Sequence, residues 1–275
     1  MGQPREGASP FRTAAPRFRA LGAISRDVAT GRLVCMTKIA TDIRARVDAL
    51  PWDALRAALD DKGHAVTSAV LDPRECDELS ELFDSGRFRS TIDMARHRFG
   101  EGRYRYFDHP LPETIAALRG SFYRHLAPIA NDWASQLRGD NPHFPLEHEQ
   151  LLSQCHEAGQ RRPTPLILRY GVGDWNALHQ DLYGDVYFPF QVLTILARPG
   201  VDFDGGEFVL LEQRPRAQSR AHVLTPAQGA FVIFPTSERP NRGKNGYHRV
   251  GMRHGVATIT SGRRTALGVI FHDAR

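Results

Sequence analysis

Two short stretches of this 275-residue chain carry side chains whose types and spacing suit metal chemistry. The first, His179-Gln180-Asp181, can place an imidazole and a carboxylate on one face of a metal ion. Alone it says little, because a chain with 12 His and 19 Asp holds about one such pair by chance. The second runs from His254 to Arg264 and fits the spacing His-x-Val-x-x-Ile-x-x-Gly-x-Arg. Composition gives that pattern a chance expectation on the order of one in a thousand. A His at the start of one strand and an Arg at the start of the next, joined by a Gly turn, point into the same barrel mouth. Two imidazoles and one carboxylate leave coordination positions open, and a guanidinium fork binds both oxygens of a carboxylate in parallel.

Such an arrangement needs strands, and the texture after Pro163 supplies them. Short runs rich in β-branched and aromatic residues, punctuated by Gly and Pro, occur at 166–170, 187–197, 207–211, 221–224, 230–234, 255–260 and 266–271. Seven or more short strands without long helices between them predict a β-sandwich or barrel. The preceding segment, 36–162, reads as mainly helical. Ile43, Val47, Leu50, Leu55 and Leu59 fall at helical spacing, with Pro51 opening a second helix. A short β run at 65–71 leads to the helix start Asp72-Pro73-Arg74-Glu75, and 113–138 and 147–158 are further helices. Residues 1–35, mixing Gly, Pro, Ala, Ser and Arg without periodicity, read as a disordered basic tail, and Met36 is an alternative start. The tail resembles an organelle transit peptide in composition but shows no amphipathic helix.

With 41% apolar and 24% charged residues the composition is that of a soluble globular domain. No run of eighteen apolar residues and no secretory apolar region occur, which argues against membrane spanning and secretion. Cys35, Cys76 and Cys155 form no Cys-x-x-Cys, so the expected compartment is a reducing cytoplasm. The net charge of +5 is unevenly spread. Residues 1–35 hold 6 Arg against 2 acids, 36–211 hold 19 cations against 26, and 212–275 hold 11 against 3. The last quarter can therefore present a basic face to an anionic polymer, or simply a solvated surface.

On His179, Asp181, His254 and Arg264 the chain resembles the Fe(II)/2-oxoglutarate-dependent oxygenase superfamily. The resemblance implies a two-histidine, one-carboxylate iron triad, with Arg264 holding the distal carboxylate of 2-oxoglutarate and O2 as second co-substrate. Phe203-Asp204-Gly205-Gly206-Glu207-Phe208 and Gly229-Ala230-Phe231-Val232-Ile233-Phe234-Pro235 are similar to its Gly-Gly-Glu turn and to the strand leading to the distal His. The fold implied is α+β: a double-stranded β-helix (jelly-roll) over 163–275 with helical support from 36–162. A narrower likeness, in Arg253-His254-Gly255-Val256 and Leu267–Ala274, is to a bacterial oxygenase family described as acting on damaged nucleic acids by oxidative demethylation, a DNA-repair activity. The ending Arg-x-Asn-x-Thr-x-Arg of the AlkB dealkylases is missing, with Arg263-Arg264-Thr265 in its place. A hydroxylase of a protein side chain, as in prolyl hydroxylases, or of a free amino acid is the alternative. A binding module without chemistry is disfavoured, since all three ligand types and the Arg are present.

Secondary candidates surround this set. His248 competes with His254 for the metal, and Arg263 with Arg264, although neighbouring strand residues face opposite sides. Asn176 stands where relatives place a Tyr on 2-oxoglutarate, and Tyr170 is a second co-substrate contact. Trp175, Tyr183 and Tyr187 flank the metal motif and suit either a sandwich for a flipped base or core packing. His272-Asp273 supports the site from behind or caps the chain. His97, His109, His125 and His156 lack metal spacing.

Overall fold

Pro51 divides the first helical stretch in two. Residues 39–48 belong to α1, and Pro51 is the N-cap of α2 (Trp52–Lys62), which ends on Gly63 in the left-handed region. The computed structural model describes residues 39–138, 143–244 and 246–275, within the unit Lys38–Arg275. The expected basic tail over 1–35 and Met36 lie outside the described residues. After β1 (Ala65–Ala69), α3 (Pro73–Ser85) starts with a reciprocal capping box. The Asp72 carboxylate accepts from the Glu75 N–H at 2.8 Å, and the Glu75 carboxylate accepts from the Asp72 N–H at 2.9 Å.

Then come β2 (Phe88–Asp93), the single turn α4 (Met94–His97), β3 (Gly100–Glu101) and β4 (Arg103–Phe107). Helices α5 (Glu113–Arg138) and α6 (His148–Glu157) follow. The remaining strands are β5 (Leu166–Tyr170), β6 (Trp175–His179), β7 (Phe190–Ile195), β8 (Phe203–Gly205), β9 (Phe208–Gln213) and β10 (Arg220–Leu224). They continue as β11 (Ala230–Pro235), β12 (Glu238–Gly243), β13 (Gly246–Val256), β14 (Ile259–Gly262) and β15 (Arg264–Ile270).

All strand pairings are antiparallel. One sheet has the order β1-β11-β7-β15-β5-β4-β2, a second β10-β9-β13-β6-β3 with β12 also on β13, and β14 pairs with β8 in a small two-stranded sheet. The pleat sorts the first sheet's side chains into two cores. Leu267, Val269, Phe231, Ile233 and Val192 face the helices, where they meet Leu118, Phe122 and Leu126 of α5. Ala266, Ile270, Val232, Phe234, Leu193 and Ile195 face the second sheet and meet Phe208, Leu210, Val250 and Met252. The metal candidates lie on this inner side.

The segment before residue 163 supplies four strands besides its helices, since β1, β2 and β4 extend one sheet and β3 the other. The run expected as one strand over 255–260 is instead the end of β13, a break at Ala257-Thr258 and the start of β14. The break folds over the Gly-Gly turn: Ala257 N–H donates to the Glu207 carbonyl and Gly206 N–H to the Thr258 carbonyl.

Candidate metal centre

His179 ends β6 and His254 lies directly opposite it on β13. Their rings approach to 4.2 Å between centroids. Asp181, two residues past the end of β6, closes the group: its Oδ1 is 3.5 Å from His179 Nε2 and its Oδ2 3.2 Å from His254 Nε2. One ligand atom from each of the three lies within 4.8 Å of the others. His179 Nδ1 sits 2.7 Å from the Ala177 carbonyl, a partner that fixes the proton on Nδ1 and turns the Nε2 lone pair inward. Burial opposes charge on every member. His254 is pushed down by burial and then by His179, so its ring is neutral, the form that ligates a metal. Burial also works against the Asp181 carboxylate, but the two histidines outweigh it and hold the group well below the usual carboxylate range. Burial works against charge on His179 too, but the hydrogen bond and charge of Asp181, with the Ala177 carbonyl, together outweigh it and raise the ring.

His254 is not at the start of its strand, as the spacing alone implies. Eight residues of β13 precede it, paired with β12 in a hairpin that local sequence does not announce. Arg264 opens β15 as expected, opposite Tyr170 on β5, and is fully buried. Its guanidinium lies 5.5 Å from the centre of the Tyr170 ring, and Nε, Nη1 and Nη2 have no hydrogen-bond partner among the described residues. Burial lowers its pKa to about 10, so it stays charged at neutral pH. A buried, unpaired cation is costly, and an anion in the adjoining space removes that cost. The space exists: a cavity of about 230 Å³ is lined by His179, Asp181, His254, Tyr170, Asn176 and Arg264 among others.

Residues 102–274 match the Oxygenase-NA family, described as an oxygenase catalysing oxidative methylation of damaged DNA. The chain belongs to this oxygenase family. It is also 48% identical over 168 residues to the "Uncharacterized protein Rv2227" of Mycobacterium tuberculosis strain H37Rv, an alignment covering 61% of this chain and 72% of that protein. The "Uncharacterized protein MT2286" of strain CDC 1551 gives the same figures. Among solved structures, an oxidoreductase of the 2OG-Fe(II) oxygenase family from Burkholderia pseudomallei superimposes with a TM-score of 0.50 at 18% identity, over 81% of this chain and 92% of that one. A Pseudomonas putida prolyl-4-hydroxylase gives 0.47 at 15% identity, over 82% and 99%. The superposition on the Burkholderia protein, with the antiparallel sheets described above, makes the fold of this Oxygenase-NA protein a double-stranded β-helix.

The Burkholderia protein is a 2OG-Fe(II) oxygenase, and the residues present in this chain fit Fe(II) and 2-oxoglutarate. Two imidazoles and a carboxylate converge on one point, and the unpartnered guanidinium of Arg264 suits a dicarboxylate's far end. The amide nitrogen of Asn176 donates to the Tyr170 hydroxyl at 3.3 Å, which puts both residues beside Arg264 on the cavity wall. Gly206 lets the Gly-Gly turn approach that arginine, since with φ +63° a Cβ there would strike Arg264 Cδ and Ile259 Cδ1.

Other candidates separate. His248 is exposed on the hairpin beside Asn241, and Arg263 faces solvent. Tyr183 lines the cavity, but Trp175 is exposed and Tyr187 lines a different recess with Trp133 and Phe144, so the three aromatics do not form a sandwich. His272 and Asp273 are buried, and the His272 ring lies 6.4 Å from that of Tyr183, whose hydroxyl bonds Asp181. His272 Nδ1 accepts from the Phe188 N–H at 3.1 Å, while Asp273 pairs with Arg119 at 2.7 Å and His156 at 3.1 Å.

Sequence reasoning named Tyr183 only for a base sandwich or core packing, and it missed Tyr106 and Gln191. The Tyr183 hydroxyl donates to Asp181 Oδ1 at 2.7 Å and accepts from Tyr106 at 3.1 Å. Burial and the neighbouring carboxylate raise Tyr183 well above its ordinary value, so it remains a donor. The alternation Arg103-Tyr104-Arg105-Tyr106 was the available signal, a strand with aromatics on one face. Gln191, buried on β7, reaches the cavity with an unpartnered amide nitrogen.

Proposed function

We propose that this oxygenase oxidises an N-methyl carbon on a damaged nucleic-acid base, with Fe(II) held by His179, Asp181 and His254 and 2-oxoglutarate held by Arg264, Tyr170 and Asn176. The observation that carries the reading is the buried Arg264 guanidinium, without a partner on any nitrogen, lining the same cavity as the His-Asp-His cluster. When bound, the iron and its co-substrate supply an oxidation in which one atom of O2 leaves in succinate, with CO2, and the other enters a substrate C–H bond.

The protein's own residues do the rest. Tyr183 holds the Asp181 carboxylate in one orientation. Phe208 and Phe234, whose rings lie 5.9 and 4.9 Å from that of His254, keep water from its side of the centre. A carbon hydroxylated next to a base nitrogen breaks its C–N bond, releasing formaldehyde and returning the proton to the nitrogen. Oxidation of a methyl group thus removes it, which is why we read the chemistry of the family as demethylation.

The test compares succinate and formaldehyde release from a single-stranded oligonucleotide carrying N-methylated bases and from its unmethylated twin. Both products rising together, only with the methylated strand and not in Asp181→Ala, is the expected result. Succinate release indifferent to either strand, with hydroxylation of a prolyl peptide or free amino acid instead, would overturn the substrate and leave the oxygenase.

A further inference from the structure

At one end of the six-stranded sheet the topology gathers cations from two turns. The β9–β10 turn carries Arg214, Arg216 and Arg220, and the β12–β13 hairpin carries Arg242, Lys244 and Arg249, all exposed. The two turns are neighbours, because Gln213 at the end of β9 pairs with Gly251 at the root of the hairpin. No Asp or Glu occurs from 213 to 237 or from 239 to 253. Arg214 is ion-paired to Glu212 and Arg249 to Glu238, whereas Arg216, Arg220, Arg242 and Lys244 make no ion pair among the described residues. Tyr247, opposite Arg242 on the hairpin, is 46% exposed.

This basic end is fixed to the metal centre. Gln180, the middle residue of the His-x-Asp motif, donates from one amide nitrogen to the carbonyls of Ser237 at 2.7 Å and Met252 at 2.9 Å, one on each side of the hairpin's root. Buried Arg239 ties the root to Glu212 at 2.8 Å and to the Asp60 carbonyl of α2 at 3.2 Å. Gly251 is three residues of β13 from His254, about 10 Å of strand, and Tyr247 with its partner Arg242 is seven, about 23 Å.

Building on the function proposed above, we propose that these two turns hold the phosphates of a single-stranded nucleic acid several nucleotides from the one that enters the metal centre, with Tyr247 as a stacking surface for a base. Several unpaired cations with no interspersed acid match a polyanion, and an exposed aromatic among them matches its bases. The single strand follows from the cavity. A space of about 230 Å³ admits a base only after it has left the stack, and in a single strand that costs least.

The test is fluorescence anisotropy of a labelled single-stranded DNA oligonucleotide over a salt series, using the full chain and a variant combining Arg216→Gln, Arg242→Gln and Lys244→Gln. Removing three phosphate contacts lowers the slope of log K against log salt by about 2 and weakens binding at least tenfold at low salt. A variant carrying Arg216→Lys and Arg242→Lys keeps the slope, which a merely structural role for the arginines would not predict. Turnover of a free N-methylated nucleoside stays at the wild-type level in all of them. An unchanged slope in the Gln variant, no salt-sensitive binding by the wild type, or equally tight binding of the duplex would each overturn the proposal. Binding lost in the Gln variant, with no methylated strand oxidised even by the wild type, would instead sustain the track and sink the demethylase reading.

Discussion

Arg264 carries a positive charge in a place where nothing in the described protein neutralises it. That gives one side chain opposite effects on stability and on binding. Replacing it by Met, which fills similar space without charge, removes the unpaired buried cation and is expected to raise the unfolding midpoint of the ligand-free protein. The same change deletes a bidentate, charge-assisted contact of about 3 kcal/mol or more, so 2-oxoglutarate binding should weaken at least ~100-fold. Calorimetric titration and thermal unfolding of Arg264→Met read the two effects separately. A variant that is less stable and binds 2-oxoglutarate normally would show that the guanidinium is structural. At this scale the sequence was most informative. The spacing from His254 to Arg264 is the signal on which the proposed distal ligand and co-substrate cation rest, and both residues line one cavity although β14 lies between their strands. Tyr106, Gln191 and the grip of Gln180 on the hairpin were out of reach, because each acts across 57 or more residues of chain or only through burial.

The elements divide by how local their cause is. Strands β5, β7, β11 and β15 were legible because they are buried on both faces and rich in β-branched, aliphatic and aromatic residues. Helix α3 was legible from its capping box. Strand β2 was not, since Phe88-Arg-Ser-Thr-Ile-Asp is half-buried apart from the exposed Thr91 and shows no alternation. The β12–β13 hairpin was missed because Arg, Gly, Pro and Asn dominate it, and its root is held by the buried Arg239–Glu212 pair rather than by local preference. The Gly-Gly turn yields a prediction at this scale. Gly206→Ala adds a Cβ at φ +63° against Ile259 and the stem of Arg264, so it should cost roughly 1–3 kcal/mol and weaken 2-oxoglutarate binding with it. Denaturant titration and calorimetry on the one variant check both, and a stable variant with normal binding would show that the turn yields freely.

For the whole molecule, buried histidines set the response to acid. Burial, with Arg119 adding to it, pushes His148 down to about 3 and His272 down to about 4. Burial lowers His64, His222 and His254 in the same direction, while Asp181 raises His179 in the opposite one. Above about pH 6.5 the rings of His148 and His272 are neutral in both folded and unfolded chains, and their contribution to stability is complete. Below it the unfolded chain takes up protons that the folded protein refuses until about pH 4 and then about pH 3, so stability falls as pH drops. At about 1.4 kcal/mol per unit for each ring, going from pH 7 to 5 should cost roughly 4 kcal/mol. Urea unfolding at the two pH values measures it, and an unmoved midpoint would contradict the burial of these rings.

Strand β15 follows every other strand in the chain, yet it lies in the middle of its sheet, between β7 and β5. During synthesis the ribosome therefore releases two half-sheets, β1-β11-β7 and β5-β4-β2, each with a raw hydrogen-bonding edge where β15 belongs. Arg119 on α5, made about 150 residues earlier, waits for the carbonyls of Ile270 and Phe271 and the carboxylate of Asp273. The nascent chain must hold two sticky edges apart until its closing strand emerges, and in that interval aggregation competes most directly with folding.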